Sequence, residues 1–207
     1  MTVSTALRSC VVVVLAAVCS YVWIDLPLAI WIHSISTPWM QNIGSVLEEA
    51  GKSHWLLGYT LIVVVVTWRS WRDVSTRHLV VFASIAASGI LANIIKILIT
   101  RSRPPLLFSD GIAEARPFSF IFDYIWQSFP SGHATTGLAL AVAGSAMYPR
   151  YKILFWITGL AIAAGRIIYN VHYLSDVLVG SALGIICAAI AVRMRMDWGG
   201  RWGGRWG

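Results

Sequence analysis

The sequence predicts an all-α integral membrane protein, a bundle of six transmembrane helices with both termini in the cytoplasm. Three observations lead there. Of 207 residues, 57% are hydrophobic, only 12% are charged and eleven are tryptophan, with a positive mean hydropathy. That is far from the balance of a soluble globular chain. Six apolar runs follow one another at 10–24, 55–68, 79–100, 134–148, 153–168 and 177–192, several of them approaching the roughly 20 residues that cross a bilayer. Basic residues also gather in alternate connections. A soluble bundle hiding six such runs would lack the polar surface to cover them.

The first run follows Arg8 and reads as a helix. No small-x-small cleavage site follows it, and Val18 before Cys19 makes a poor lipoprotein signal. Cys10, Cys19 and Cys187 all lie inside apolar runs and are odd in number, so they read as packing residues and not as a disulfide framework or metal cluster. Residues 25–54 read as a long connection, with Pro27, Trp31, Pro38 and Trp39 suggesting that it lies along the membrane interface.

The third run ends NIIKILITRSRPP. If the helix continues to Pro104, Lys96 and Arg103 stack on one face two turns apart and the proline stops the helix. Lys96 lies about two turns inside the apolar run, where a bare charge needs a reason. Arg101, taken alone, reads as a cation snorkelling at a helix end. The connection 101–130 is long and contains ARPFSFIFDYIW, an aromatic-rich stretch expected to rest on the interface as a lid, with Arg116 as an anchor.

PSGH at 130–133 opens the fourth helix, with Ser131 as N-cap, Gly132 allowing close backbone approach and His133 in the first turn. The fifth run ends near Arg166; His172 falls in a short turn, and Asp176 follows in the first turn of the sixth helix. Residues 1–197 read as one membrane domain with core motifs at 96–176. The tail WGGRWGGRWG, 198–207, reads as low-complexity sequence with interfacial Trp and Arg anchors.

Charge sets the orientation. One side collects Arg8, Arg69, Arg72, Arg77, Arg150, Lys152, Arg193, Arg195, Arg201 and Arg205 against Asp73 and Asp197 only, whereas the other side is nearly balanced. The positive-inside rule puts the first side in the cytoplasm. The net charge of +7 is thereby explained without nucleic acid. The opposite face lies outside the cytoplasm, in the periplasm of a Gram-negative host.

Lys96, Arg103, Ser131, Gly132, His133, Arg166, His172 and Asp176 come from three segments, and the topology puts them all on that outer face. Cations beside a helix N-terminus describe a phosphate cradle. Two histidines and an aspartate describe a nucleophile, its orienter and a general acid. Two rivals use similar residues. A lipid transporter or flippase would show deeper charges and an internal repeat. A metal-dependent hydrolase would have to bind its ion among three cations.

KILITRSRP (96–104), PSGH (130–133) and GRIIYNVHYLSD (165–176) resemble, in order and spacing, the three motifs of the type 2 phosphatidic acid phosphatases. That superfamily is shared with vanadium-dependent haloperoxidases. One position departs: Gly165 stands where the family usually has serine. The resemblance implies metal-independent removal of phosphate from a lipid at the membrane surface, with no cofactor. His172 would attack phosphorus, Asp176 would orient it and His133 would protonate the leaving oxygen. Lys96, Arg103, Arg166 and the Ser131 and Gly132 amides would hold the phosphate. Undecaprenyl diphosphate, phosphatidylglycerol phosphate, phosphatidate and lipid A all fit as substrates. Nothing in the chain speaks to its oligomeric state.

Overall fold

The structure, a computed structural model, describes residues 12–202 and side chains as far as Met196. Arg8, Cys10, Asp197, Arg201, Arg205 and most of the WGGRWGGRWG stretch lie, in whole or in side chain, outside the described residues. Among the described residues the fold is all-α, with no strand beyond isolated bridges. Five helical segments are long and apolar enough to cross a membrane: Val12–Ile35, Pro38–Thr67, Arg72–Leu98, Pro149–Ile168 and Leu174–Met196.

Helix α1 is Val12–Ile35, with one π-helical turn at Ser20–Ile24. The second segment is two helices broken at Gly51 and Lys52: α2 (Pro38–Ala50) and α3 (Ser53–Thr67). Then come α4 (Arg72–Leu98), the short α5 (Pro104–Asp110), α6 (Gly132–Met147), α7 (Lys152–Ile168) and α8 (Leu174–Trp202).

Helix α6 is the hub. Its 16 residues are buried on several faces, with Ala139, Ala143 and Met147 against Val80, Val81 and Ile85 of α4 and Ala188 of α8. On another side Ala134, Leu138 and Ala141 meet Ala163 of α7 and Val177 of α8. Small residues let the backbones touch: a Cβ at Gly184 would stand 2.2 Å from the Thr135 carbonyl oxygen. Such small-residue seams are how helices associate where lipid removes the hydrophobic drive. The outer helices turn their large side chains outward. Val66, Ile153, Ile157 and Val65 are all more than half exposed, an inside-out pattern that suits a hydrocarbon surround.

Two expectations fail. Residues 25–54 are not a connecting loop, because α1 runs on to Ile35 and α2 follows after only two residues. The apolar signal fades at Asp25, but the backbone continues because that carboxylate is fully satisfied inside the protein. The second failure is α4, which ends at Leu98 and does not reach Pro104. Residues 99–103 leave the helix, and the amides of Arg101 and Arg103 bind the Trp126 and Ile125 carbonyls. Pro104 begins α5 at its first turn, where a missing N–H costs nothing. Of the cysteines, Cys187 is buried as a packing residue, whereas Cys19 lies exposed on α1.

Candidate active site

Leaving the helix early places the arginines. In extended backbone, residues two apart share a face. Arg101 and Arg103 therefore both reach toward the turn between α7 and α8. Arg101 is 6% exposed and is no snorkelling cation. The Arg103 guanidinium holds the Tyr124 and Gln127 carbonyls and the Tyr124 hydroxyl, and its Nη1 lies 3.3 Å from His172 Nε2. Lys96 Nζ donates to the Gln127 carbonyl at 2.9 Å and the Pro130 carbonyl at 2.6 Å, leaving one of its three protons uncommitted.

The Arg103 contact fixes the state of His172. A guanidinium has no acceptor, so Nε2 must present its lone pair and the ring proton must sit on Nδ1. Nδ1 faces Ser128 Oγ at 3.4 Å and Asp176 Oδ2 at 3.6 Å. The second distance is too long for a hydrogen bond. Ser128 closes the gap by donating to Asp176 Oδ2 at 2.6 Å, so its oxygen remains open to the imidazole proton. Asp176 thus reaches His172 chiefly through a serine hydroxyl. His172 is 2% exposed. Burial first, then Arg103, Lys96, Arg166 and His133, hold its pKa well below the ordinary 6.5.

A cavity of about 230 Å³ opens above these groups, walled by Lys96, Arg103, Gly132, His133 and His172, with Gly89, Ala92 and Asn93 of α4 leading away from them. No carboxylate lines it. Among the described residues no three His, Cys, Asp or Glu side chains gather as a metal cluster.

Ser131 is the N-cap of α6, as its place in PSGH predicts; its hydroxyl accepts from the Ala134 amide at 3.4 Å. Its own amide is already bound to the Asp176 carbonyl, so Ser131 offers the cavity no N–H and Gly132 is the member of the pair that lines it. That corrects the expectation of two free amides. Arg166 is 0% exposed and does not line the cavity either. None of its three nitrogens has a hydrogen-bond partner, although Nη1 stands 3.1 Å from the Glu48 carboxylate. Arg116 pairs with Glu114 and Trp126, away from the cavity.

Glu48 comes from α2, which lies over this corner. The Glu48 carbonyl accepts from His133 Nε2 at 3.1 Å. A Cβ on Gly165 would fall 2.9 Å from Leu47 Cβ and Cδ1 of the same helix. The missing serine therefore has a steric cause, since α2 packs where its side chain would stand. Ser128, Arg101, Asp25 and Glu48 are the polar residues that motif spacing did not reveal; Ser128 and Arg101 flank motif residues, but Asp25 and Glu48 arrive from the first quarter of the chain.

The sequence profile of the PAP2 superfamily matches residues 77–199, more than half of the chain. The chain belongs to the PAP2 superfamily. Relatives agree with that membership. It is 31% identical over 157 residues to the lipid A 1-phosphatase of Rhizobium etli, covering 70% of this chain and 67% of that one. It is equally identical to the lipid A 1-phosphatase of Rhizobium johnstonii, where it spans 64% of the relative. Two solved structures share the fold. LpxE of Aquifex aeolicus aligns with a TM-score of 0.58 at 21% identity, covering 82% of this chain and 95% of the other. The transmembrane PAP2-type phosphatidylglycerolphosphate phosphatase of Bacillus subtilis aligns with a TM-score of 0.61 at 20% identity, covering 90% and 96%. As a PAP2 member with apolar, membrane-length helices, the chain is a membrane lipid phosphatase.

Proposed function

We propose that the protein removes a phosphate from an anionic glycolipid of the lipid A type, through a phosphohistidine on His172 and without a metal ion. One observation carries the reading: His172, with an unprotonated Nε2 held by Arg103, lines a cavity walled by cations and free of carboxylates. A dianionic headgroup suits that cavity, and a nucleophile suits that nitrogen. The likeness to lipid A 1-phosphatases favours this lipid class over the alternatives.

In the reaction, His172 Nε2 forms a bond to phosphorus while the bond from phosphorus to the lipid oxygen breaks. Nε2 of His133 gives its proton to that departing oxygen. Water then attacks the phosphohistidine, His133 takes the water's proton, and the N–P bond breaks to release inorganic phosphate. Lys96, Arg103 and the Gly132 amide hold the phosphoryl oxygens. Arg166 joins them when Glu48 yields. The Nδ1 proton of His172 stays with Ser128 and Asp176, which spread the positive charge that forms on the ring.

We read six spans, the sixth being Gly132–Met147, whose rise of about 24 Å suits a central helix shielded by its neighbours. Both termini are cytoplasmic and the cavity opens on the outer face of the inner membrane. The deciding experiment is phosphate release by the purified protein over lipid A, phosphatidylglycerol phosphate, phosphatidate and undecaprenyl diphosphate, with and without EDTA and vanadate. Release from lipid A that survives EDTA and is blocked by vanadate is the expected result. Loss in EDTA restored by Mg²⁺ or Zn²⁺ overturns the mechanism, and release from another lipid alone overturns the substrate.

A further inference from the structure

Outside the cavity, α1 meets the 99–103 segment and the start of α8 in a second polar cluster, in which Asp176 is joined by residues that hold no motif position. It centres on Arg101. Nη1 of that guanidinium donates to Asp176 Oδ1 at 2.5 Å and to Ser175 Oγ at 2.7 Å, and Nη2 donates to Asp25 Oδ2 at 2.8 Å. The ring faces of Tyr21 and Tyr173 lie 4.8 Å and 4.3 Å from its central carbon. Asp25 is 1% exposed, and both its oxygens are occupied. Oδ1 accepts from Ser20 Oγ at 2.7 Å and the Ser175 amide at 3.0 Å, and Oδ2 accepts from Ser175 Oγ at 2.5 Å as well as from Arg101.

The local backbone explains how α1 delivers this carboxylate. Residues five apart lie about 140° apart around an α-helix, but a π-helical turn brings them into line. The π turn at Ser20–Ile24 does so for Ser20 and Asp25. Such turns are uncommon and concentrate at functional sites.

A buried Arg with two carboxylates is costly in desolvation and is weak ground for a stability role. Its geometry has a different product. Asp176 has one oxygen, Oδ1, clamped by Arg101, and the other, Oδ2, bound by Ser128 Oγ and the Tyr173 amide. The carboxylate cannot rotate. Left with Asp176 alone, Arg101 would neutralise it; with Asp25 taking the second nitrogen, the trio keeps one net negative charge beside His172.

We infer that Asp25 and Arg101 are positioning residues for the His172 nucleophile, acting through Asp176; the inference rests on the phosphatase reading above. Neither residue lines the cavity, so neither touches the phosphate. Both act by fixing the carboxylate and its charge, which hold the Nδ1 proton and stabilise the phosphohistidine.

The test is steady-state hydrolysis of p-nitrophenyl phosphate and of the preferred lipid by the full chain in detergent, comparing wild type, Asp25→Asn, Arg101→Lys, Asp176→Asn and the double variant Asp25→Asn/Asp176→Asn. Asp25→Asn keeps the shape and removes the charge. Its kcat should fall roughly 10–100-fold, the usual effect of losing a supporting hydrogen-bond partner, with KM changed less than about twofold. Lysine cannot bridge two carboxylates as a guanidinium does, so Arg101→Lys should show the same split. In the Asp176→Asn background, Asp25→Asn should cost nothing more.

An unchanged kcat, a rise in KM that accounts for the loss, or an equal loss with and without Asp176 overturns the inference. Where Asp176→Asn has no measurable rate, the split between kcat and KM decides. Where Asp25→Asn does not melt as a folded protein, Ser175→Ala, which removes the hydroxyl between Asp25 and Arg101, takes its place. A wild-type protein inactive on every substrate would sink the phosphatase reading instead.

Discussion

At the scale of single residues, the proposed mechanism gives His172 and His133 opposite roles, and their hydrogen-bond partners support it. His172 Nε2 accepts from Arg103 and is therefore unprotonated, whereas His133 Nε2 faces a backbone carbonyl and so carries a proton. A nucleophile cannot be replaced, so His172→Ala should release no phosphate from any substrate. A general acid matters in proportion to the basicity of the leaving group. His133→Ala should therefore lose about 10²–10⁴-fold on a lipid monophosphate and far less on p-nitrophenyl phosphate. Residual activity of His172→Ala on the aryl ester, with His133→Ala dead throughout, would reverse the two roles. The same surroundings set a pH dependence. Because burial and then the neighbouring cations hold the pKa of His172 well below 6.5, its ring takes up a second proton only at lower pH than an ordinary histidine. The acid limb of kcat/KM, corrected for ionisation of the substrate, should lie below 6.5; a midpoint at or above it contradicts the assignment. The motif spacings marked His172, His133, Asp176, Lys96 and Arg103 because each belongs to a short local pattern. Ser128 escaped notice because a lone serine two residues before a proline has no pattern of its own.

At the scale of elements, α2 is the part that sequence periodicity hid. Its residues mix Gln41, Asn42, Glu48 and Glu49 with Ile43, Val46 and Leu47, and Pro38 and Gly44 read as breakers, so the segment looks like a surface connection. Pro38 in fact opens the helix, and Gly44 has no Cβ because Tyr169 would stand 2.7 Å from it. The packed helix brings a carboxylate to Arg166 and a carbonyl to His133. Both contacts engage groups that the proposed mechanism uses, and on that proposal α2 competes with phosphate. Glu48→Gln removes the competing charge, and inorganic phosphate and vanadate should then inhibit about 2–5-fold more strongly, the worth of a partly exposed ion pair. Weaker inhibition would mean that Glu48 helps to bind the anion. Packing gives a companion prediction. Restoring the family's serine, Gly165→Ser, should lower the melting temperature by crowding Leu47, and adding Leu47→Ala should recover only the part due to Cδ1, because the Cβ at residue 47 stays as close. If Gly165→Ser melts like the wild type, α2 does not pack as tightly as the 2.9 Å between a Cβ placed on residue 165 and Leu47 indicates.

At the scale of the whole molecule, the apolar runs located the helices but not their ends. The signal reports the stretch in contact with hydrocarbon, and the helices extend past it, as α1 does for eleven residues from Asp25 to Ile35 and α8 does beyond 192. Orientation rests on charge alone: the helix order puts Arg69, Arg72, Arg77, Arg150, Lys152, Arg193 and Arg195 at the opposite end of the bundle from His172, and the positive-inside rule is our ground for proposing that this end is cytoplasmic. The prediction needs reporter positions that are exposed and clear of the site. Ser70 lies exposed in the turn between α3 and α4 on the basic end, and Ser109 lies exposed near the end of α5 on the other. With Cys10, Cys19 and Cys187 replaced, Ser109→Cys should react with a membrane-impermeant maleimide in intact spheroplasts, and Ser70→Cys should react only after the membrane is opened. The two must behave oppositely for a reason built into the fold: α4, 27 residues long and so about 40 Å by its rise, carries the chain between them and exceeds the roughly 30 Å hydrocarbon thickness. Labelling of Ser70→Cys alone from outside would invert the protein, put the cavity on the cytoplasmic face, and require a lipid phosphate substrate from the inner leaflet.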